Sequence, residues 1–68
     1  MENIFSKNLK NLRKEKGVGQ TLLAQELGVS KGIISLWENG LREPTLSSLI
    51  EIAKYFKVSL DYLVGIDE

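Results

Sequence analysis

The chain has 68 residues, with nine basic side chains balancing nine acidic ones, and contains neither cysteine nor histidine. That rules out disulfide staples, thiolate or imidazole metal sites and imidazole acid–base chemistry, so neither an enzyme activity nor a cofactor is expected. No apolar run approaches the roughly 20 residues that span a bilayer and no signal-peptide pattern opens the chain, so a cytoplasmic protein without membrane contact is expected.

Residues 1–68 read as a single domain, near the lower size limit for a self-sufficient core, so stability must come from well-packed helices or from association. Phe5, Leu9 and Leu12 recur at i, i+4 and i+7, which predicts a first helix from about residue 3 to 16 with Gly17 as a left-handed cap. This part of the chain is basic: Lys7, Lys10, Arg13, Lys14 and Lys16 outweigh Glu2 and Glu15 within residues 1–18. Solvated helix face and phosphate steering explain Lys7, Lys10 and Lys14 equally well. The Gly-Val-Gly at 17–19 lacks both the glycine-lysine pair and the preceding strand of a phosphate loop, and serves as punctuation.

A second helix is predicted over Gln20–Leu27, with Leu23, Ala24 and Leu27 inward and Gly28 closing it. Ser30 caps a third helix that ends near Glu38, where Asn39-Gly40 breaks it. Pro44 then precedes Thr45, an N-cap for a strongly amphipathic fourth helix carrying Leu46, Leu49, Ile52, Ala53 and Phe56. Ser59 caps a short fifth helix whose Asp61 suits the positive end of the dipole. No segment alternates with period two, so the predicted class is all-α.

The segment QTLLAQELGVSKGIISLWEN, residues 20–39, carries the functional signal. A helix-turn-helix needs a small residue where its helices cross, here Ala24, and a residue tolerant of positive φ at the turn, here Gly28. Val29, Ile34 and Trp37 supply the apolar residues that lock the second of these helices to the core, which makes Trp37 core and not a platform for stacking bases. Its other face carries Gly32, Ser35 and Leu36, few hydrogen-bonding groups for a DNA reader.

With these pieces in place, the chain closely resembles the lambda-repressor-like, Cro-type helix-turn-helix domains (the XRE family) over about residues 4–65. The resemblance rests chiefly on KGVGQTLLAQELGVS, ISLWENG, the proline-led fourth helix and KVSLDYL. It implies a compact five-helix domain, double-stranded DNA as partner and a homodimer on a palindromic operator, with the helix-turn-helix formed by helices 2 and 3. Ser30, Lys31, Gly32, Ser35 and Leu36 are the implied base-reading positions. Gln20 matches a phosphate-holding position, and Asn39, Gly40 and Arg42 lie where the family's loop touches the DNA backbone, with Lys10 and Lys14 as further phosphate candidates. Arg13 and Glu38 match a pair that ties the first helix to the third, a structural role. Tyr62, Val64 and Ile66, an apolar surplus at the end of the chain, are the expected dimer surface.

The chain departs from the family pattern at the reading face. Gly19 replaces the usual Ser or Thr before the helix-2 glutamine, a weaker N-cap that also removes a phosphate donor. Gly32 and Leu36 stand where polar side chains meet bases, and Ile33 where a hydroxyl is common. Lys31 is left as the one long polar side chain for reading, suited to guanine O6/N7. Leu36 suits thymine methyl contact, a protein partner or a tolerated surface position. The expected function is a sequence-specific transcriptional regulator, a repressor; the alternative is a protein-interaction module of the same fold, such as an antirepressor or antitoxin-like subunit. No small-molecule effector is indicated.

Overall fold

The structure, a computed structural model, describes residues 3–66. Five α-helices follow in order: α1 Ile4–Lys16, α2 Gln20–Leu27, α3 Lys31–Glu38, α4 Leu46–Phe56 and α5 Leu60–Val64. No strand occurs among the described residues.

Side-chain caps set most of the helix starts. Asn3, Ser30, Thr45 and Ser59 each accept a hydrogen bond from the backbone N–H three residues on, satisfying one of the otherwise unpaired donors of α1, α3, α4 and α5. Only α2 starts without one, because Gly19 has no side chain to offer. At the other ends, Gly17, Gly28 and Gly65 stop α1, α2 and α5 in the left-handed conformation. Lys57 does the same for α4 at φ 59°, a conformation that costs a residue with a Cβ.

The core draws on every helix. Leu9, Leu23, Ile34, Ile52 and Leu63 are fully buried, with Phe5, Ala24, Trp37 and Ala53 completing the interior. Phe5 meets Trp37 edge-on at 6.4 Å, fastening α1 to α3. Ser6, also fully buried, donates its hydroxyl to Trp37 O at 2.6 Å, so the one neutral polar side chain in the core is satisfied.

The short α5 is held mainly by α1. The Asn8 carboxamide donates to Tyr62 O at 2.9 Å and Leu63 O at 3.2 Å, taking up carbonyls at the C-terminal end of α5. A Cβ added at Gly65, where φ is 85°, would lie 2.4 Å from Ile4 Cγ2. Glycine is required there twice over, by conformation and by the approach of α1.

Candidate nucleic-acid interface

The helix-turn-helix is built from α2 and α3. Gly28, at φ 72°, lets the chain reverse, and its N–H donates to Gln25 O while Val29 N–H donates to Ala24 O. These bonds close α2 and aim the chain into α3. Ser30 Oγ accepts from Ile33 N–H at 3.2 Å, and the buried Ile34 and Trp37 seat α3 against the core. The orientation of α3 is therefore fixed by residues on its inner face.

What remains outward is the face singled out in the sequence. Lys31 and Gly32 are exposed, while Ser35 and Leu36 are half-buried. Lys31 carries the only charge on this face. Ser35 is partly engaged, because the Asn39 carboxamide donates to its carbonyl at 2.9 Å and reaches its hydroxyl at 3.3 Å. Leu36 covers part of its surface within the fold and leaves the rest exposed. Ile33 is partly buried and packs against the core.

The candidate phosphate contacts differ in exposure. Asn39 is exposed at the end of α3, and Gly40 has its N–H on Trp37 O at 3.2 Å. Arg42 is exposed in the loop that follows, and Lys14 is exposed on α1, with Lys10 half-buried on the same helix.

Gln20 is not free-standing. Its Nε2 donates to Glu38 Oε1 at 3.1 Å. Glu38, 2% exposed, also receives Arg13 Nε on Oε2 at 2.6 Å and Arg13 Nη2 on Oε1 at 3.0 Å, while Arg13 Nη1 reaches Val18 O at 3.2 Å. One buried carboxylate thus joins α1, α2 and α3. Hydrogen bonding to Glu38 holds the Arg13 guanidinium above its ordinary pKa, outweighing the opposing effect of burial. The family resemblance pointed to the Arg13–Glu38 pair but not to Gln20 as its third member. The spacing of 18 residues between Gln20 and Glu38 has no local periodicity that would mark it.

Leu22 on α2 and Leu41 after α3 escaped the sequence reading and are 44% and 67% exposed. Leu46, expected on the apolar face of α4, is itself 67% exposed because it stands in the first turn, ahead of the part of α4 that meets the core. Leu22 sits directly before the buried Leu23, so a stripe count absorbs it into the helix. Of the expected dimer residues, Tyr62 and Ile66 are well exposed. Val64 is half-buried and lines a cleft of about 470 Å³ with Ile4, Phe5, Pro44 and Leu49.

Among the described residues no group of carboxylates is placed to hold a metal ion, and no helix is long and apolar enough to cross a membrane.

Comparison with known proteins gives these features a context. The helix-turn-helix family model matches residues 9–63. The Bacillus subtilis protein named uncharacterized HTH-type transcriptional regulator YqaE is 43% identical over 61 residues, covering 90% of this chain and 53% of that protein. A transcriptional regulator from Listeria innocua superposes with TM-score 0.90 at 32% identity, over 100% of this chain and 64% of that one. The P22 c2 repressor, in complex with a synthetic operator, superposes with TM-score 0.88 at 31% identity, over 96% of this chain and 98% of its own. The chain spans about half the length of the Bacillus relative, and 31% of an Enterococcus faecalis activator that it also matches.

Proposed function

The chain belongs to the helix-turn-helix family HTH_3, with the lambda-repressor-like fold, and on that premise we propose that it is a sequence-specific DNA-binding transcriptional regulator, a repressor that binds a palindromic operator as a homodimer. The observation that carries this reading is α3: its inner face is locked by Ile34 and Trp37 while Lys31, Gly32, Ser35 and Leu36 remain outward. In the major groove, Lys31 donates to guanine O6/N7 and Leu36 meets thymine methyl groups. Ser30 and Ser35 offer hydroxyls to base edges, and Gly32 lets the α3 backbone come close. Gln20, Asn39, Gly40, Arg42, Lys10 and Lys14 face phosphates, fixing register without carrying sequence information.

The size of the fold supports dimerisation. The longest dimension of the fold is 32 Å, and it presents one recognition helix, whereas successive major grooves are about 34 Å apart. Two copies paired through Tyr62, Val64 and Ile66 would place two such helices on one face of the duplex.

Fluorescence anisotropy with palindromic sequences selected from a random pool, against mixed-sequence duplexes over a salt series, tests the reading. The expected outcome is a clear preference for the selected palindrome. The candidate cations are Lys10, Lys14, Lys31 and Arg42, so the log–log salt slope should be no steeper than about −4 per protomer, with ~0.9 for each. Equal, weak binding to every duplex would refute sequence reading.

A second reading has its own support in zero net charge, the apolar Leu36 and the exposed Leu22: a protein-interaction module on the same fold. Leu36→Gln separates the two. It abolishes capture of a partner held by Leu36 while leaving DNA affinity flat or raised, or, if Leu36 reads methyl groups, it weakens binding to the selected duplex.

A further inference from the structure

We propose that Glu38 is a positioning residue for DNA contact, holding the Gln20 carboxamide in the orientation from which it donates to a phosphate. The inference rests on the DNA-binding reading above and assigns Glu38 a task beyond tying α1 to α3.

The chemistry of the two groups fixes the geometry. An ionised carboxylate only accepts hydrogen bonds, so the carboxamide end of Gln20 that lies 3.1 Å from Glu38 Oε1 must be its NH2. The NH2 group is planar and carries two N–H bonds. Once Glu38 takes one of them, the directions of the second N–H and of Oε1 are set. Glu38 itself cannot swing, because it is 2% exposed and Arg13 grips both of its oxygens at 2.6 and 3.0 Å. Among the described residues the Gln20 carboxamide has no other hydrogen-bond partner, so its second N–H is left for a ligand. A flexible glutamine must be ordered when it binds a phosphate, whereas here the ordering is already done in the free protein. Lys31 and Arg42, by contrast, are exposed long side chains.

The test uses the sign of an electrostatic effect. Glu38→Gln adds one positive charge to the protein, so long-range attraction alone would tighten binding to any duplex or leave it unchanged. Positioning requires the opposite. In anisotropy titrations with a fluorescein-labelled mixed-sequence duplex, E38Q and Q20A should each weaken binding roughly three- to tenfold, the loss expected for one hydrogen bond. In the Q20A background, E38Q should add nothing, since its effect passes through Gln20. The salt slope should not change, because a neutral amide displaces no counterion. Tighter binding by E38Q, or losses that add in the double variant, would overturn the proposal.

A measurement on the unmodified protein keeps the test open if E38Q does not fold. The chain has two glutamines, so the side-chain amide signals of Gln20 can be read against those of the exposed Gln25. On adding the duplex, the Gln20 proton bonded to Glu38 should keep its chemical shift while its partner proton moves. Movement of both protons, or of neither, would overturn the proposal. Absence of binding to any duplex by the unmodified protein would instead refute the DNA reading, and the positioning role with it.

Discussion

Gly32 shows how one residue separates what the fold needs from what a ligand needs. A Cβ built there meets only Ser30 Oγ, at 3.8 Å, an ordinary contact, and its φ is not in the left-handed region. Nothing in the fold requires glycine in the first turn of α3, and glycine there costs up to about 1 kcal/mol relative to alanine. Gly32→Ala should therefore raise the thermal midpoint by a few degrees. If α3 lies against base edges as proposed, the same methyl group should weaken binding to the selected duplex; thermal denaturation and anisotropy on one preparation check both. A variant that is stabilised and binds equally well would remove Gly32 from the reading face. Arg13 is the opposite case, fixed by the fold. Its pKa is raised in the folded state, so the stability it brings is complete below the ordinary arginine range and is lost only in strong alkali. This group alone gives the protein no pH sensitivity near neutrality.

At the scale of the helix, the ends decide stability, and they differ in how openly the sequence announces them. Ser30, Thr45 and Ser59 are N-caps by residue type, and Gly17 and Gly28 are left-handed stops by residue type, so each of the five helices is legible within about one residue at one end at least. Lys57 was not legible, since a lysine at φ 59° looks like any other residue in the α4–α5 connection. It adopts that conformation because Val58 N–H must reach Ala53 O and bring the chain round to Ser59. Lys57→Gly should remove the strain and stabilise the protein by about 1 kcal/mol, offset in part by the greater freedom of glycine in the unfolded chain. Chemical denaturation measures the difference, and a destabilised variant would mean that the lysine stem makes up the cost through packing. Within the candidate interface, residue types point to Lys31 and Leu36 as the side chains to test. The Gln20–Glu38 bond stayed hidden because it joins helices across the fold, where no spacing rule applies.

For the whole molecule, the question is where the apolar surface goes. Tyr62 and Ile66 are exposed at 44% and 67%, and Ile4 beside them at 55%. Ile4 packs on Gly65, so these side chains belong to one end of the fold, where α1 begins and α5 finishes. Pairing through this end should appear as a concentration-dependent rise in mass in sedimentation equilibrium. Tyr62→Glu together with Ile66→Glu should hold the protein monomeric and leave its melting behaviour at low concentration nearly unchanged. A wild-type protein that stays monomeric at high concentration without DNA would move dimerisation onto the operator.

The Asn8 carboxamide bears on this pairing through time. A helix of five residues does not persist alone, so α5 lasts only while its docking on α1 lasts. The two hydrogen bonds from Asn8 and the contact between Gly65 and Ile4 hold it in place. Amide protons of α5 should then exchange with solvent through partial openings, sooner than those around Leu9 and Ile34 that need the whole fold to come apart. The same brief detachments would dismantle the surface offered to a second copy. The lifetime of any dimer formed there would thus be capped by how often α5 lets go.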